Sequence, residues 1–224
     1  MGGLGADCRK DECAQDANFQ FSKNLFELYP YRQIIAMGSQ AEYGYYTKRV
    51  SEEDALRPFT PYGENKIKVC QLLRDYCESK GIEWQWIRIF TVFGDNGRNG
   101  MIYSVAKSCL HGDSELDTTE GTQVYAFLYA SDFAKALAKT FGVKGKSGIY
   151  NMSQPRCEVA IKDVLIKIKQ ITGSDIKIHF GAIPFRDNQV MLMSGNVDKF
   201  EQTFGEIPHS DFDENLRKVI EKLR

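Results

Sequence analysis

The strongest constraint on this chain is the order in which two hydrophobic patterns follow one another. Short apolar runs alternate with longer stretches whose apolar residues recur every three to four positions. The first pattern is a strand covered on both faces and the second is an amphipathic helix. The runs QIIAM (33–37), EWQWIRIF (83–90), QVYAFLY (123–129), GIYNM (148–152) and DIKIHF (175–180) read as strands, the first of them buried. Residues 14–29, 61–80, about 100–110, 131–141, 158–172 and 213–224 read as helices. The clearest is PYGENKIKVCQLLRDYCESK (61–80): Thr60 can cap it, Pro61 suits its first turn and Gly81 ends it. Strand and helix in regular alternation predict an α/β layer fold with a mainly parallel sheet.

Composition excludes several classes of function. The 224 residues are 42% hydrophobic and 26% charged, enough to bury a core. A net charge of −1 offers no basic surface for nucleic acid or an anionic membrane. No apolar run approaches the roughly 18 residues of a spanning helix, and the N-terminus carries no charged-then-apolar leader pattern. The expected location is therefore the cytoplasm. Six cysteines, at 8, 13, 70, 77, 109 and 157, are too scattered for a disulfide framework or paired zinc ligands and read as free thiols. His111, His179 and His209 stand alone in the sequence, so no metal is expected.

The chemistry-bearing stretches are GSQAEYG and, downstream, PYGENK. Tyr62 and Lys66 are four residues apart on one predicted helix, so they project from one face. A phenol ordinarily titrates near ~10, and a neighbouring cation favours its phenolate form. The pair is thus suited to acid/base work on an alcohol or ketone. Tyr and Lys at this spacing are also common on solvated helix faces. Ser39 tips the reading, because it ends an apolar strand, and ligands of open parallel sheets bind at the strands' carboxyl ends.

Taken in order, NFQFSKNLFEL, GSQAEYG, PYGENK, IRIFTVFG, FLYASDFAKAL, GIYNMS and IPFRDNQV resemble the extended short-chain dehydrogenase/reductases, the NAD-dependent epimerase/dehydratase group that modifies nucleotide sugars. The resemblance implies a Rossmann-like, doubly wound sheet that lacks its N-terminal glycine-rich part, with a small C-terminal substrate-binding lobe. Residues 1–92 would belong to the Rossmann-like part and 93–224 to the lobe, with elements of about 123–152 returning to the sheet. It implies Tyr62 as catalytic acid/base, Lys66 as its partner and a ligand of the nicotinamide ribose, and Ser39 as the group orienting the sugar oxygen. Arg186 would pair with the diphosphate of the nucleotide sugar, and Thr91 would stand near it where relatives often carry asparagine. Tyr125 stands where relatives often carry arginine. Asn18 reads as a helix-start residue.

The same resemblance implies NAD or NADP as cofactor, bound weakly because the phosphate loop is absent. The opening MGGLGADC fails the G-x-G-x-x-G spacing and falls in a loop near the cofactor. It also implies a homodimer through helices 14–29 and 61–80. The alternative function is a truncated, non-catalytic paralogue that keeps the sugar lobe without cofactor binding.

Overall fold

The computed structural model describes residues 6–97 and 100–224. Its first sheet is three-stranded and parallel. β1 (Gln33–Ser39) pairs with β2 (Glu83–Ile89), which pairs with β6 (Gly148–Met152). The register aligns Gly38 with Arg88 and Arg88 with Asn151, so two polar side chains and a glycine share one level near the strands' carboxyl ends.

Helices cover both faces of this sheet. On one side lie α1 (Glu12–Glu27) and α2 (Pro61–Lys80), where Phe26, Val69, Cys70, Leu73 and Cys77 pack on Trp84 and Trp86. On the other lie α4 (Ala130–Ala138) and α6 (Asp198–Phe204), where Ala136 and Phe200 pack with Ile87, Tyr150 and Met152. Trp84 and Trp86 face one layer and Ile87 the other, the period-two alternation of a strand.

The second sheet is built on β5 (Val124–Tyr129). It pairs in parallel with β3 (Thr91–Phe93) and β9 (Leu192–Met193), and antiparallel with β7 (Glu158–Ala160). A parallel pair, β4 (Glu115–Thr118) and β8 (Lys177–Phe180), stands apart. α3 (Met101–His111), α5 (Ile161–Thr172) and α7 (Phe212–Leu223) close a core around Ile102, Ala106, Val164, Ile168, Leu216 and Val219. The thiols are free: Cys70 and Cys77 are buried beneath α2, Cys109 is buried in the second core, and Cys13 and Cys157 are exposed.

Four expectations change. QIIAM is a strand but not a buried one: Ile34, Ile35, Ala36 and Met37 are half-buried, because β1 has β2 as its one partner among the described residues. A cavity of about 360 Å³ runs along its other side, lined by Leu25, Phe26, Ile34, Ala36, Val69 and Trp86. Residues 158–160 form a strand rather than the first turn of a helix, since they pair with β5 and Gln123 accepts from the Ile161 amide. Asn18 is not at a helix start: α1 begins at Glu12 with the Asp11 side chain accepting from Ala14 N at 3.1 Å, leaving Asn18 in mid-helix. α2, one of the two helices expected at a dimer face, turns its apolar residues Val69, Leu73 and Cys77 inward, with Leu73 and Cys77 fully buried.

Candidate active site

The site is assembled where the carboxyl end of β1 meets the start of α2. Thr60 caps α2, its Oγ1 accepting from Gly63 N at 3.1 Å, and Pro61 supplies the pre-set φ of a first helical residue. Gly63 lets the helix start approach the 3-10 turn Gln40–Glu42 that follows β1; a Cβ there would lie 2.5 Å from the Ala41 carbonyl oxygen. That close approach sets Tyr62 beside the strand end carrying Ser39.

Ser39, Tyr62, Thr91 and Arg186 border one cavity of about 1300 Å³, together with Phe90, Tyr125, Phe127 and Gln189. Four of the residues singled out in the sequence, from four separate segments, thus converge. Lys66 lines the smaller cavity along β1 instead. Its ammonium donates to the Met37 carbonyl oxygen at 2.7 Å and lies 5.8 Å from the Tyr62 ring centre and 5.7 Å from that of Trp86. Burial pushes the Lys66 ammonium below the ordinary lysine range, and the negative charge of Glu42 opposes that shift.

Around the main cavity, Thr91 Oγ1 donates to Met193 Sδ at 3.1 Å, a weak acceptor that a ligand oxygen can replace. Gln189 Nε2 donates to the Tyr125 hydroxyl at 2.9 Å, and the charge of Arg186 acts on that phenol. Arg9 lies over the Tyr62 ring, its guanidinium carbon 5.5 Å from the ring centre. Gly2, Gly3 and Gly5, in the opening stretch expected near the cofactor, lie outside the described residues. Among the described residues, no group of three or more His, Cys, Asp or Glu side chains is placed to hold a metal, and no helix is long and apolar enough to cross a membrane.

Behind Ser39 is a buried polar network that motif reading missed. Glu42 is fully buried and accepts from Ser39 N at 2.8 Å, Trp86 Nε1 at 3.0 Å and Arg88 Nε at 2.8 Å. Arg88 also donates to the Tyr43 hydroxyl at 2.9 Å, which donates to Asn151 Oδ1 at 2.7 Å. The Ser-x-x-Glu spacing of Ser39 and Glu42 is the sequence signal that could have found it, because it matches a capping box.

A parallel sheet with helices on both faces and a cavity at the carboxyl end of its first strand is a Rossmann-like architecture. The particular family follows from comparison. The chain belongs to the NAD dependent epimerase/dehydratase family, whose model matches residues 2–153. It is 27% identical over 171 residues to a UDP-glucose 4-epimerase of Lactobacillus helveticus, an alignment covering 67% of this chain and 52% of that protein. It is 27% identical over 210 residues to UDP-glucuronate 4-epimerase 6 of Arabidopsis thaliana, covering 85% of this chain and 45% of that one. Among solved structures, a UDP-glucose 4-epimerase from Thermotoga maritima superimposes with a TM-score of 0.86 at 19% identity, over 99% of this chain and 75% of that chain. RMD from Pseudomonas aeruginosa, complexed with NADPH, superimposes with a TM-score of 0.89 at 16% identity, over 99% and 78%. The chain spans about half the length of the curated relatives it matches.

Proposed function

We propose that this chain carries the proton-transfer and sugar-nucleotide part of a NAD(P)-dependent enzyme that epimerises, dehydrates or reduces a nucleotide-diphosphate sugar. The observation that supports it is the convergence of Ser39, Tyr62, Thr91 and Arg186 on one cavity large enough for such a ligand. In this reading Tyr62 takes a proton from a sugar hydroxyl, or returns one to a keto oxygen, at its phenolic oxygen. Ser39 holds that same oxygen through its hydroxyl. Lys66 places its positive charge within 6 Å of the Tyr62 ring. Arg186 grips the diphosphate with the paired N–H donors of its guanidinium, which match phosphate oxygens better than a lysine does. Thr91 donates to the sugar or its phosphate in place of its contact with Met193.

The nicotinamide cofactor, when bound, supplies the hydride acceptor or donor. In this reading the phenol of Tyr62 and the ammonium of Lys66 would hold one part of it, the ribose hydroxyls beside the nicotinamide. Among the described residues no glycine-rich strand–loop–helix junction offers a cradle for its pyrophosphate. The competing reading, a non-catalytic protein that keeps the sugar cavity, makes the same binding predictions without turnover.

Calorimetric titration of UDP-glucose, the ligand bound in the Thermotoga maritima structure, into the chain and into Arg186→Gln tests the sugar-nucleotide assignment. Measurable binding that weakens about tenfold or more in the variant is expected. No binding to the unaltered chain, or equal binding to both, removes Arg186 from the site. Turnover assayed with NAD or NADP present separates the enzyme from the non-catalytic reading.

A further inference from the structure

We propose that Glu42 is a positioning residue of the candidate site: its buried carboxylate fixes the strand end that carries Ser39 and lies one residue from the Met37 carbonyl that seats the Lys66 ammonium. The inference rests on the reading of Ser39, Tyr62 and Lys66 given above, and adds to it the group that organises two of the three.

The geometry is specific. One carboxylate oxygen of Glu42 accepts from Ser39 N at 2.8 Å and from Trp86 Nε1 at 3.0 Å; the other accepts from Arg88 Nε at 2.8 Å. Gly38, between Met37 and Ser39, has no room for a side chain: a Cβ would lie 2.6 Å from Glu42 Oε1 and 2.3 Å from Trp86 Nε1. The carboxylate therefore lies against the backbone one residue from the Met37 carbonyl on which the Lys66 ammonium rests at 2.7 Å. Both groups also meet Trp86, Glu42 at the indole N–H and Lys66 5.7 Å from the ring centre.

Charge explains why a glutamate is useful here. An ammonium taken from water tends to lose its proton, and a carboxylate close by in a low-dielectric setting opposes the loss. Glu42 is the opposite charge that acts on Lys66, and it counters the effect of burial. The other titratable or charged groups nearby are Tyr62 and the buried Cys70 on Lys66's own helix, Arg9 over the Tyr62 ring, Tyr31 ahead of β1, and Arg88 of β2 behind Glu42. Arg88 neutralises part of the Glu42 charge but stands on the far side of it from the Ser39 amide, bonded to the other oxygen.

The test needs no ligand and no turnover, so it can fail while the sugar-nucleotide reading survives, and the reverse. Acetic anhydride acylates only the neutral amine. Mass spectrometry of the full chain after a brief pulse, repeated from pH 7 to 11, gives the ratio of Lys66 to Lys68 labelling, Lys68 being an exposed lysine of the same helix. In Glu42→Gln the ratio at pH 8 is expected to rise about three- to tenfold, the neutral fraction growing tenfold for each unit the titration moves. Glu42→Asp, which keeps the charge, is expected to stay within about twofold of the unaltered chain. If Glu42→Gln does not fold, Glu42→Gln with Arg88→Met removes the ion pair as a unit, a change buried pairs tolerate better than the loss of one partner. The same rise is expected there. A folded Gln variant, single or double, that labels like the unaltered chain overturns the proposal. So does an Asp variant that labels as fast as the Gln variant.

Discussion

At the scale of single residues, the phenol of Tyr62 is the group on which the proposed chemistry turns. Tyr62→Phe keeps the ring that Arg9 and Lys66 flank and removes only the hydroxyl. In a form of the protein that turns over, the rate should fall roughly 100- to 10,000-fold while sugar-nucleotide affinity holds. Steady-state kinetics beside calorimetry checks this, and unchanged turnover would take Tyr62 out of the mechanism. Gly38→Ala should destabilise the fold by ~1–3 kcal/mol, the usual cost of overpacking, because the new methyl would press on Trp86 and Glu42. Urea denaturation reads that change directly.

A third residue-scale effect concerns acid. Hydrogen bonds from Arg49, one at 2.7 Å, are the main reason the Glu158 carboxyl lies below the ordinary glutamate range, and Ser194 adds another at 2.8 Å. A carboxyl held low in the folded state adds stability above its unfolded value, near ~4.3, and loses that stability as pH falls through the folded value. The difference in Tm between the unaltered chain and Arg49→Met should therefore be present at pH 7 and shrink towards pH 3. A constant difference would mean the pair contributes packing rather than charge. Ser39, Tyr62, Thr91 and Arg186, which border one cavity, were singled out in the sequence through short segments that resemble the family. Glu42 was not, because its partners Trp86 and Arg88 lie more than 40 residues away and only the fold brings them to it.

At the scale of elements, periodicity located the long helices well and misplaced what tertiary pairing decides. α2 and α7 carry their own caps, from Thr60 and Asp11's counterpart Asp211, and their ends agree with the sequence to within about a residue. Residues 158–160 fit a helical pattern as well as an extended one, and the free edge of β5 captured them. The short strands β3 and β9 have too few residues to show any period at all. α1 holds the prediction of this scale. Phe26 packs inward, yet Phe21 is 53% exposed and Leu28, its C-cap residue, 75% exposed. We expect that remaining apolar face to pair with its copy in a homodimer. Sedimentation at tens of micromolar should give a dimer, and Phe21→Asp with Leu28→Asp should give a monomer. A monomer for the unaltered, folded chain sinks the idea.

At the scale of the whole molecule, the alternation of strands and helices was enough to give the layer architecture. It could not show that the strands divide between a three-stranded and a four-stranded sheet, with the β4–β8 pair apart, because β5 and β6 look alike as apolar runs and differ only in their neighbours. Cofactor affinity belongs to this scale. With Tyr62 and Lys66 proposed to hold the nicotinamide ribose and no cradle for the pyrophosphate among the described residues, the chain should bind NAD and NADP in the millimolar range. Each charge-assisted hydrogen bond lost is worth ~1.5–3 kcal/mol, so two or three suffice to move a micromolar ligand there. Calorimetry that returns a low micromolar Kd would refute this.

The placement of the thiols has one more use. Cys70 and Cys77 are sealed under α2 in the first layer, whereas Cys109 is sealed in the core closed by α3, α5 and α7. Each pocket of sulfur is a clock for its own neighbourhood, since a maleimide pulse reaches it only when that neighbourhood opens. Exposed Cys13 and Cys157 react at once and calibrate the pulse. Across a denaturant series, Cys109 and the Cys70–Cys77 pair will become reactive together if the chain melts as a single cooperative body. We place a domain division near residue 92, with 123–152 shared, and so expect two separate onsets. Coincident onsets would make this one domain wearing two sheets.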